Sequence, residues 1–270
     1  MPPLHALSAF LLDMDGTLYL GKSRLPGAEE LIQTLRDTGR RHLYLTNNPS
    51  SDGAAYAEKL RGMGIPAEAE EVFTAGAATA DYVARDLGFR RVFALGTPSF
   101  EEELRRAGVD PAAKDPEAVV LAFDKTLTYA KLERACLLLR EGLPYIASNP
   151  DKVCPTDYGY IPDCGAMAAL LFEATGRTPH FVGKPSPEFA RLALERLGAR
   201  PEEAAMVGDR LYTDMEMARL AGMTGILLLS GETHPEDLDA APHQPAFVLE
   251  NAGALAQALR GAGPLRREAN

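Results

Sequence analysis

Leu11-Leu12-Asp13-Met14-Asp15-Gly16-Thr17 sets two carboxylates two residues apart, where the apolar run 9–12 gives out. In an extended chain, residues i and i+2 point to the same side, so Asp13 and Asp15 face one pocket. If the run is a buried parallel strand, that pocket lies at its carboxyl end, where open α/β sheets bind ligands. Two such acids at about 4 Å repel by roughly 4 kcal/mol at an effective dielectric of about 20. The pair therefore calls for a cation, a proton on one acid, or both. The plain alternative is a solvated turn, because Asp-Gly is a common loop dipeptide.

Around this stretch the chain repeats the alternation that a parallel sheet with crossover helices requires. Short apolar runs at 43–45, 181–182, 204–207, 225–229 and 246–249 read as strands. Helical periodicity lies between them at 28–37, where Leu31, Ile32 and Leu35 share a face, and at 52–63, 187–197, 212–220 and 252–259. A middle stretch has its own rhythm, with strands at 92–95, 118–122 and 145–147 and helices at 100–107, 129–140 and 167–173. About a hundred residues there suffice for a second small domain inserted into the first. The tail after Gly261 reads as frayed.

Composition narrows the function. The 270 residues are 46% hydrophobic and 24% charged, as in ordinary folded globular chains. Lys and Arg number 28 against 38 Asp and Glu, a formal charge of −10, which disfavours a nucleic-acid binder that must replace phosphate counterions. No apolar stretch approaches the ~20 residues of a membrane-spanning helix. The N-terminus runs into acidic residues without a cationic leader, so no signal peptide is expected. Cys136, Cys154 and Cys164 form no CxxC pair, which points to a reducing cytoplasm without a structural disulfide.

Three other strand ends carry complementary groups. Thr46-Asn47-Asn48 offers a hydroxyl and two amides, all able to hydrogen-bond an oxyanion. Gly183-Lys184-Pro185 holds a lysine between glycine and proline, and Gly208-Asp209-Arg210-Leu211-Tyr212-Thr213-Asp214 sets two carboxylates five apart around a helix start. Each has a dull reading: Thr46 as a cap, Lys184 as a surface charge, Asp214 as a first-turn acid favoured by the helix dipole. Four strands that all end in such groups point instead to one shared site.

In this order the motifs resemble those of the haloacid dehalogenase (HAD) superfamily of phosphohydrolases, over essentially the whole chain. DMDGTLY, TNN, GKPSP and GDRLYTD, with Asn149-Pro150-Asp151, are similar to the branch of 4-nitrophenyl phosphatases, NagD-type nucleotide phosphatases and eukaryotic pyridoxal and phosphoglycolate phosphatases. The resemblance implies an α/β fold: a Rossmann-like parallel-sheet core with an inserted, smaller α/β cap of the C2 type. Only 32 residues separate Asp13 from Thr46, too few for a helical cap there, whereas 137 separate Thr46 from Lys184. The core is expected at 1–80 and 180–270 and the cap at 81–179. In the family such caps often mediate dimerisation, so a homodimer through the cap is an expectation of the resemblance.

The resemblance also implies Mg²⁺-dependent hydrolysis of a small-molecule phosphomonoester through an aspartyl-phosphate. Asp13 would be the nucleophile and Asp15 the general acid and base. Asp13, the Asp15 backbone carbonyl and Asp209 would hold Mg²⁺. Thr46 and the backbone amides of Met14 to Gly16 would bind phosphoryl oxygens, with Asn47 nearby and Lys184 steadying the transferring group. Asp214 would orient metal-bound water or Lys184. Four carboxylates against one lysine leave the site acidic, so a dianionic substrate needs the cation and a proton on Asp15.

Other signals lead elsewhere. Asp124-Lys125-Thr126-Leu127-Thr128 lacks the glycine of the ion-pump phosphorylation motif and reads as cap loop and helix start, with Thr126 or Thr128 as cap. Gly183-Lys184 lacks P-loop spacing. Met206, Met215, Met217 and Met223 read as core filler. The segment 151–164 is the candidate to close over a leaving group, with Tyr158 and Tyr160 read, by a small margin, as packing residues. Two further functions stay open: a phosphotransferase or mutase on the same fold, and a non-catalytic phosphate-binding module.

Overall fold

The fold is that of a computed structural model, which describes residues 2–156 and 158–261. The frayed tail expected after Gly261 lies outside the described residues. In chain order the strands are β1 (Ala9–Asp13), β2 (Tyr19–Leu20), β3 (Ser23–Arg24), β4 (Arg41–Thr46), β5 (Val72–Thr74), β6 (Val92–Leu95), β7 (Ala118–Leu121), β8 (Tyr145–Ala147), β9 (Val153–Thr156), β10 (Gly159–Pro162), β11 (His180–Phe181), β12 (Ala204–Gly208), β13 (Thr224–Leu228) and β14 (Phe247–Leu249). The α-helices are α1 (Ala28–Asp37), α2 (Gly53–Gly62), α3 (Ala75–Asp81), α4 (Pro98–Arg106), α5 (Tyr129–Arg140), α6 (Cys164–Thr175), α7 (Pro187–Leu197), α8 (Glu216–Leu220) and α9 (Ala252–Gly261). The chain is α/β and divides into two compact units. One comprises Met1–Thr46, Ala54–Phe73 and Ala190–Asn270, the other Asn47–Gly53 and Thr74–Phe189.

The first unit is built on a sheet of order β14-β13-β12-β1-β4-β5. β1 pairs in parallel with β12 on one side and β4 on the other, and β13 and β14 continue in the same sense. All five β1 residues are buried, as a strand covered on both faces requires. Leu31, Ile32 and Leu35 of α1 turn inward, and Phe10, Leu12, Tyr44 and Leu255 join them in one core. Each such side chain contributes roughly 1.5–3 kcal/mol by burial, a reserve against which charged groups can be held close together. Register then places the chemistry. Leu12 is level with Val207 and Asp13 with Leu45, so Asp13, Thr46 and the residue after Gly208 arrive at one edge of the sheet.

The second unit has its own parallel sheet, β11-β8-β7-β6, and an antiparallel hairpin of β9 and β10. Val119, Leu121, Leu139 and Leu171 lie in its core. Side chains of Thr97, Thr128 and Asp163 accept backbone N–H groups at the starts of α4, α5 and α6. The Asp163 cap starts α6 at Cys164 rather than 167. The unit takes in more chain than 81–179. Thr74 caps α3 and donates its hydroxyl to buried Glu103 of α4 at 3.0 Å, which ties those helices together.

Two further differences from the sequence-based expectations have local causes. β5 and the β9–β10 hairpin are too short, and in the hairpin too exposed, to show a burial period. The helix expected at 212–220 is split: Leu211–Met215 forms a widened turn in which the Met215 N–H reaches the Arg210 carbonyl, and α8 follows. Cys136, Cys154 and Cys164 are free thiols. Among the described residues no helix is long and apolar enough to cross a membrane.

Candidate active site

Asp13 ends β1, and Asp209 follows β12, the neighbouring strand. Asp214 comes from the widened turn after it. These three carboxylates are buried, and each offers an oxygen within 4.8 Å of the others. The fully buried Thr17 hydroxyl lies 3.1 Å from Asp13 Oδ2 and 3.3 Å from Asp209 Oδ1 and donates toward both. The Glu232 N–H donates to Asp209 Oδ2 at 2.7 Å, and the Arg210 N–H to Asp214 Oδ2 at 3.2 Å. Burial, followed by the charges of Asp13 and Asp214, pushes the Asp209 carboxyl up to about 7. Asp15 is half-buried. Its carboxyl is also raised, chiefly by burial, with Lys59 opposing and Asp13 reinforcing the shift.

Glycines make this crowding sterically feasible. Gly16 has φ +89°, the left-handed region that favours glycine, and a Cβ there would collide with the Asp209 carboxylate. A Cβ on Gly208 would meet the Asp214 carboxyl, and one on Gly231 would meet Asp209. The Gly16 N–H donates to the Tyr19 carbonyl at 2.8 Å and closes the turn after β1. Met14 is fully buried, and Thr46 is buried at the end of β4.

Lys184 and Asn47 belong to the second unit, and there they are joined. The Lys184 N–H donates to Asn47 Oδ1 at 2.8 Å, and Asn47 Nδ2 donates to the Lys184 carbonyl at 3.1 Å and to Asp151 Oδ2 at 2.9 Å. Asn47 thus clamps the backbone of buried Lys184. Fully buried Asn149 extends the network, donating to Asp151 at 3.1 Å and to Asp163 at 3.2 Å and accepting from Ser148 Oγ. In the sequence, Asn149 and Asp151 stood out only as a family-like segment.

Thr17, Glu232 and the glycines at 208 and 231 also escaped the sequence reading. Thr17 stands inside the quoted motif, and its spacing of four from Asp13 was the available signal. Glu232 contacts Asp209 through its backbone, which leaves no mark on residue type. Tyr158 and Tyr160 are not packing residues: they are 83% and 77% exposed on the β9–β10 hairpin. Asp124 accepts from Lys131 Nζ at 2.6 Å and from Thr126, a buried structural pair, while Thr128 caps α5.

Asp13, Asp209 and Asp214 offer carboxylate oxygen alone, without histidine or cysteine, and the cradle of glycines keeps them together. That donor set fits a hard divalent cation.

A family model of haloacid dehalogenase-like hydrolases matches residues 10–110, and a second one, of HAD-hydrolase-like proteins, matches 181–255. The chain belongs to this superfamily, as a phosphatase of the NagD and 4-nitrophenylphosphatase branch. It is 44% identical to the 4-nitrophenylphosphatase of Thermotoga maritima, with a TM-score of 0.90 over 95% of this chain and 98% of that one. The acid sugar phosphatase of Staphylococcus aureus is 38% identical across 90% of this chain and 94% of its own length. A glycerol phosphate phosphatase from Mycobacterium tuberculosis, solved in complex with magnesium, is 32% identical with a TM-score of 0.87, covering 94% of this chain and 78% of that one.

Proposed function

We propose that this chain hydrolyses small phosphomonoesters in a Mg²⁺-dependent reaction through an aspartyl-phosphate on Asp13. The observation that carries the reading is the convergence of the Asp13, Asp209 and Asp214 carboxylates within 4.8 Å at the carboxyl end of a parallel sheet. An acidic group of this kind repels a phosphate dianion unless a cation accompanies it. Asp13, the Asp15 carbonyl and Asp209 would hold Mg²⁺, with Asp214 beside them. When bound, the ion neutralises the phosphoryl oxygens as charge redistributes.

The chain's own residues supply the bond chemistry. Asp13 Oδ attacks phosphorus in line and forms an acyl phosphate as the ester oxygen departs. Asp15, whose carboxyl burial keeps above the usual carboxylate range, gives its proton to that oxygen. The same group, now ionised, takes a proton from the water that attacks the acyl phosphate. Phosphate leaves and Asp13 is regenerated. Thr46, the Met14 amide and Lys184 are assigned to the phosphoryl group on the family pattern, and Asn47 keeps Lys184 in place through its backbone.

The relatives' names bring sugar phosphates, glycerol phosphate and 4-nitrophenyl phosphate into the substrate panel. EDTA abolishes turnover of that panel and Mg²⁺ restores it; full activity in chelated enzyme overturns the metal dependence. Asp13→Asn folds but loses about a thousandfold or more in kcat, since an amide is a poor nucleophile. Retained turnover there rules out the covalent route. Release of inorganic phosphate, with no phosphorylated acceptor, separates the hydrolase from a transferase.

A further inference from the structure

The widened turn Leu211–Met215 serves two sides of the first unit. Thr213 and Asp214 are buried, and Asp214 joins the acid cluster. Leu211, Tyr212 and Met215 instead line a cavity of about 600 Å³, completed by Ala218, Met223 and Ala246 among others. That volume lies in the range of small-molecule sites. Thioethers and a tyrosine ring form soft, polarisable walls that favour contact with a flat ring. The ionisable lining includes Glu202, Glu216, Arg219 and His243. Arg219 is paired with Glu216 through two bonds of 2.7 Å, so Glu202 and His243 set the balance of the rest, which carries no excess of positive charge. The charge balance disfavours an anionic guest.

Tyr212 also connects this cavity to the acids. Its hydroxyl donates to Glu232 Oε1 at 2.7 Å, and Glu232 Oε2 pairs with Arg210 Nε at 2.9 Å. The backbone N–H of the same Glu232 holds Asp209 Oδ2 at 2.7 Å. A guest that moves the Tyr212 ring therefore pulls on a donor of Asp209 through a single intervening residue. Asp214 is reached more directly, since it sits in the same turn as the cavity wall.

We propose that this cavity binds a flat, neutral or cationic heteroaromatic small molecule, and that its occupancy alters how tightly Asp13, Asp209 and Asp214 hold their divalent cation. The coupling half rests on the cation reading above; the binding half does not. Linkage makes the effect reciprocal, so the cation changes the guest's affinity by the same factor.

The test uses the full chain labelled with ¹³C at its methionine methyls, and indole as the probe. Met215 and Met223 resonances shift saturably with indole, while Met63 and Met167 stay in place. Ala246→Phe fills the cavity from a half-buried position and weakens indole binding by about tenfold or more. Calorimetry of Mg²⁺ binding, with and without saturating indole, shows a change in Kd of about fivefold. Tyr212→Phe keeps the ring, binds indole, and loses most of that change. Unmoved Met215 and Met223 methyls, or an unaltered response in folded Ala246→Phe, overturn the site. Indole binding with an unchanged Mg²⁺ Kd overturns the coupling. A chain that takes up no Mg²⁺ at all refutes the cation reading, and the methyl shifts still decide the cavity.

Discussion

Both units bury aspartates, but they treat them in opposite ways. In the first unit Asp13, Asp209 and Asp214 face one another across 4.8 Å or less, and donors to them include a shared hydroxyl and two backbone N–H groups. In the second, Asp151 and Asp163 are bridged by the Asn149 amide, and Asp151 also takes a bond from Asn47. Burial raises Asp163 to about 6, where bonds from Cys164 N–H and Asn149 outweigh the added charge of Asp151, whereas at Asp209 the charges of Asp13 and Asp214 outweigh the bond from the Glu232 N–H. Amides between carboxylates make a self-sufficient structural network. Carboxylates packed directly against one another make a group that a hard cation can join.

The largest expected effect comes from removing one member of the first group. Asp209→Asn lowers turnover by at least about a hundredfold and removes the thermal stabilisation that Mg²⁺ gives the parent. Its pH signature has a definite sign. The folded Asp209 carboxyl titrates at about 7, above its ordinary value of 3.8, so the folded state binds a proton that the unfolded state releases. The contribution of Asp209 to the stability of the chelated protein is therefore full below about pH 4 and is lost as pH rises toward 7. Mg²⁺ added at pH 8 reverses the decline. Glu103, raised by burial to about 8, adds a similar slope that Mg²⁺ does not touch. Melting scans of parent and Asp209→Asn in EDTA, from pH 5 to pH 8, separate the two. Identical slopes would show that Asp209 is not the strained acid.

A smaller effect sharpens the contrast from the other side. Asn149→Ala removes the amide between half-buried Asp151 and buried Asp163 and leaves each short of one donor. Urea unfolding should show a loss of about 1–3 kcal/mol, the same with Mg²⁺ and with EDTA. A loss that Mg²⁺ repairs would mean that the second unit's acids also hold a cation, and the distinction between the units would collapse.

What the sequence made legible follows from this difference. Asp13, Asp209 and Asp214 stand at or just past the ends of apolar runs, and parallel strands deliver their carboxyl ends to one edge, so period and position suffice to bring the three together. The alternation of runs likewise exposed strands of both units, but the run at 181–182, read with the first unit's strands, gives β11, which pairs with β8 in the second unit. Asn47 has a structural part that its residue type did not announce, since both of its polar atoms are engaged with Lys184 and Asp151. Tyr158 and Tyr160 misled because aromatic residues are usually buried, and the turn and outer face of the β9–β10 hairpin, whose other face rests on the core through Cys154 and Ile161, break that expectation. Glu232 left no trace, since a backbone N–H belongs to any residue but proline.

Thr17 gives the finest discrimination. Its one hydroxyl proton lies between Asp13 Oδ2 and Asp209 Oδ1, where it offsets repulsion between two groups that a cation would also bridge. If the cation is the principal partner, the hydroxyl matters more in its absence. Thr17→Val should then cost the chelated protein about 0.5–1.5 kcal/mol, and measurably less once Mg²⁺ is added. Thr17→Ser, which keeps the donor and loses only a methyl, should restore most of the difference between the two conditions. A loss in Thr17→Val that is equal with and without Mg²⁺ would assign the hydroxyl to packing around the strand end rather than to the charge balance of the acids.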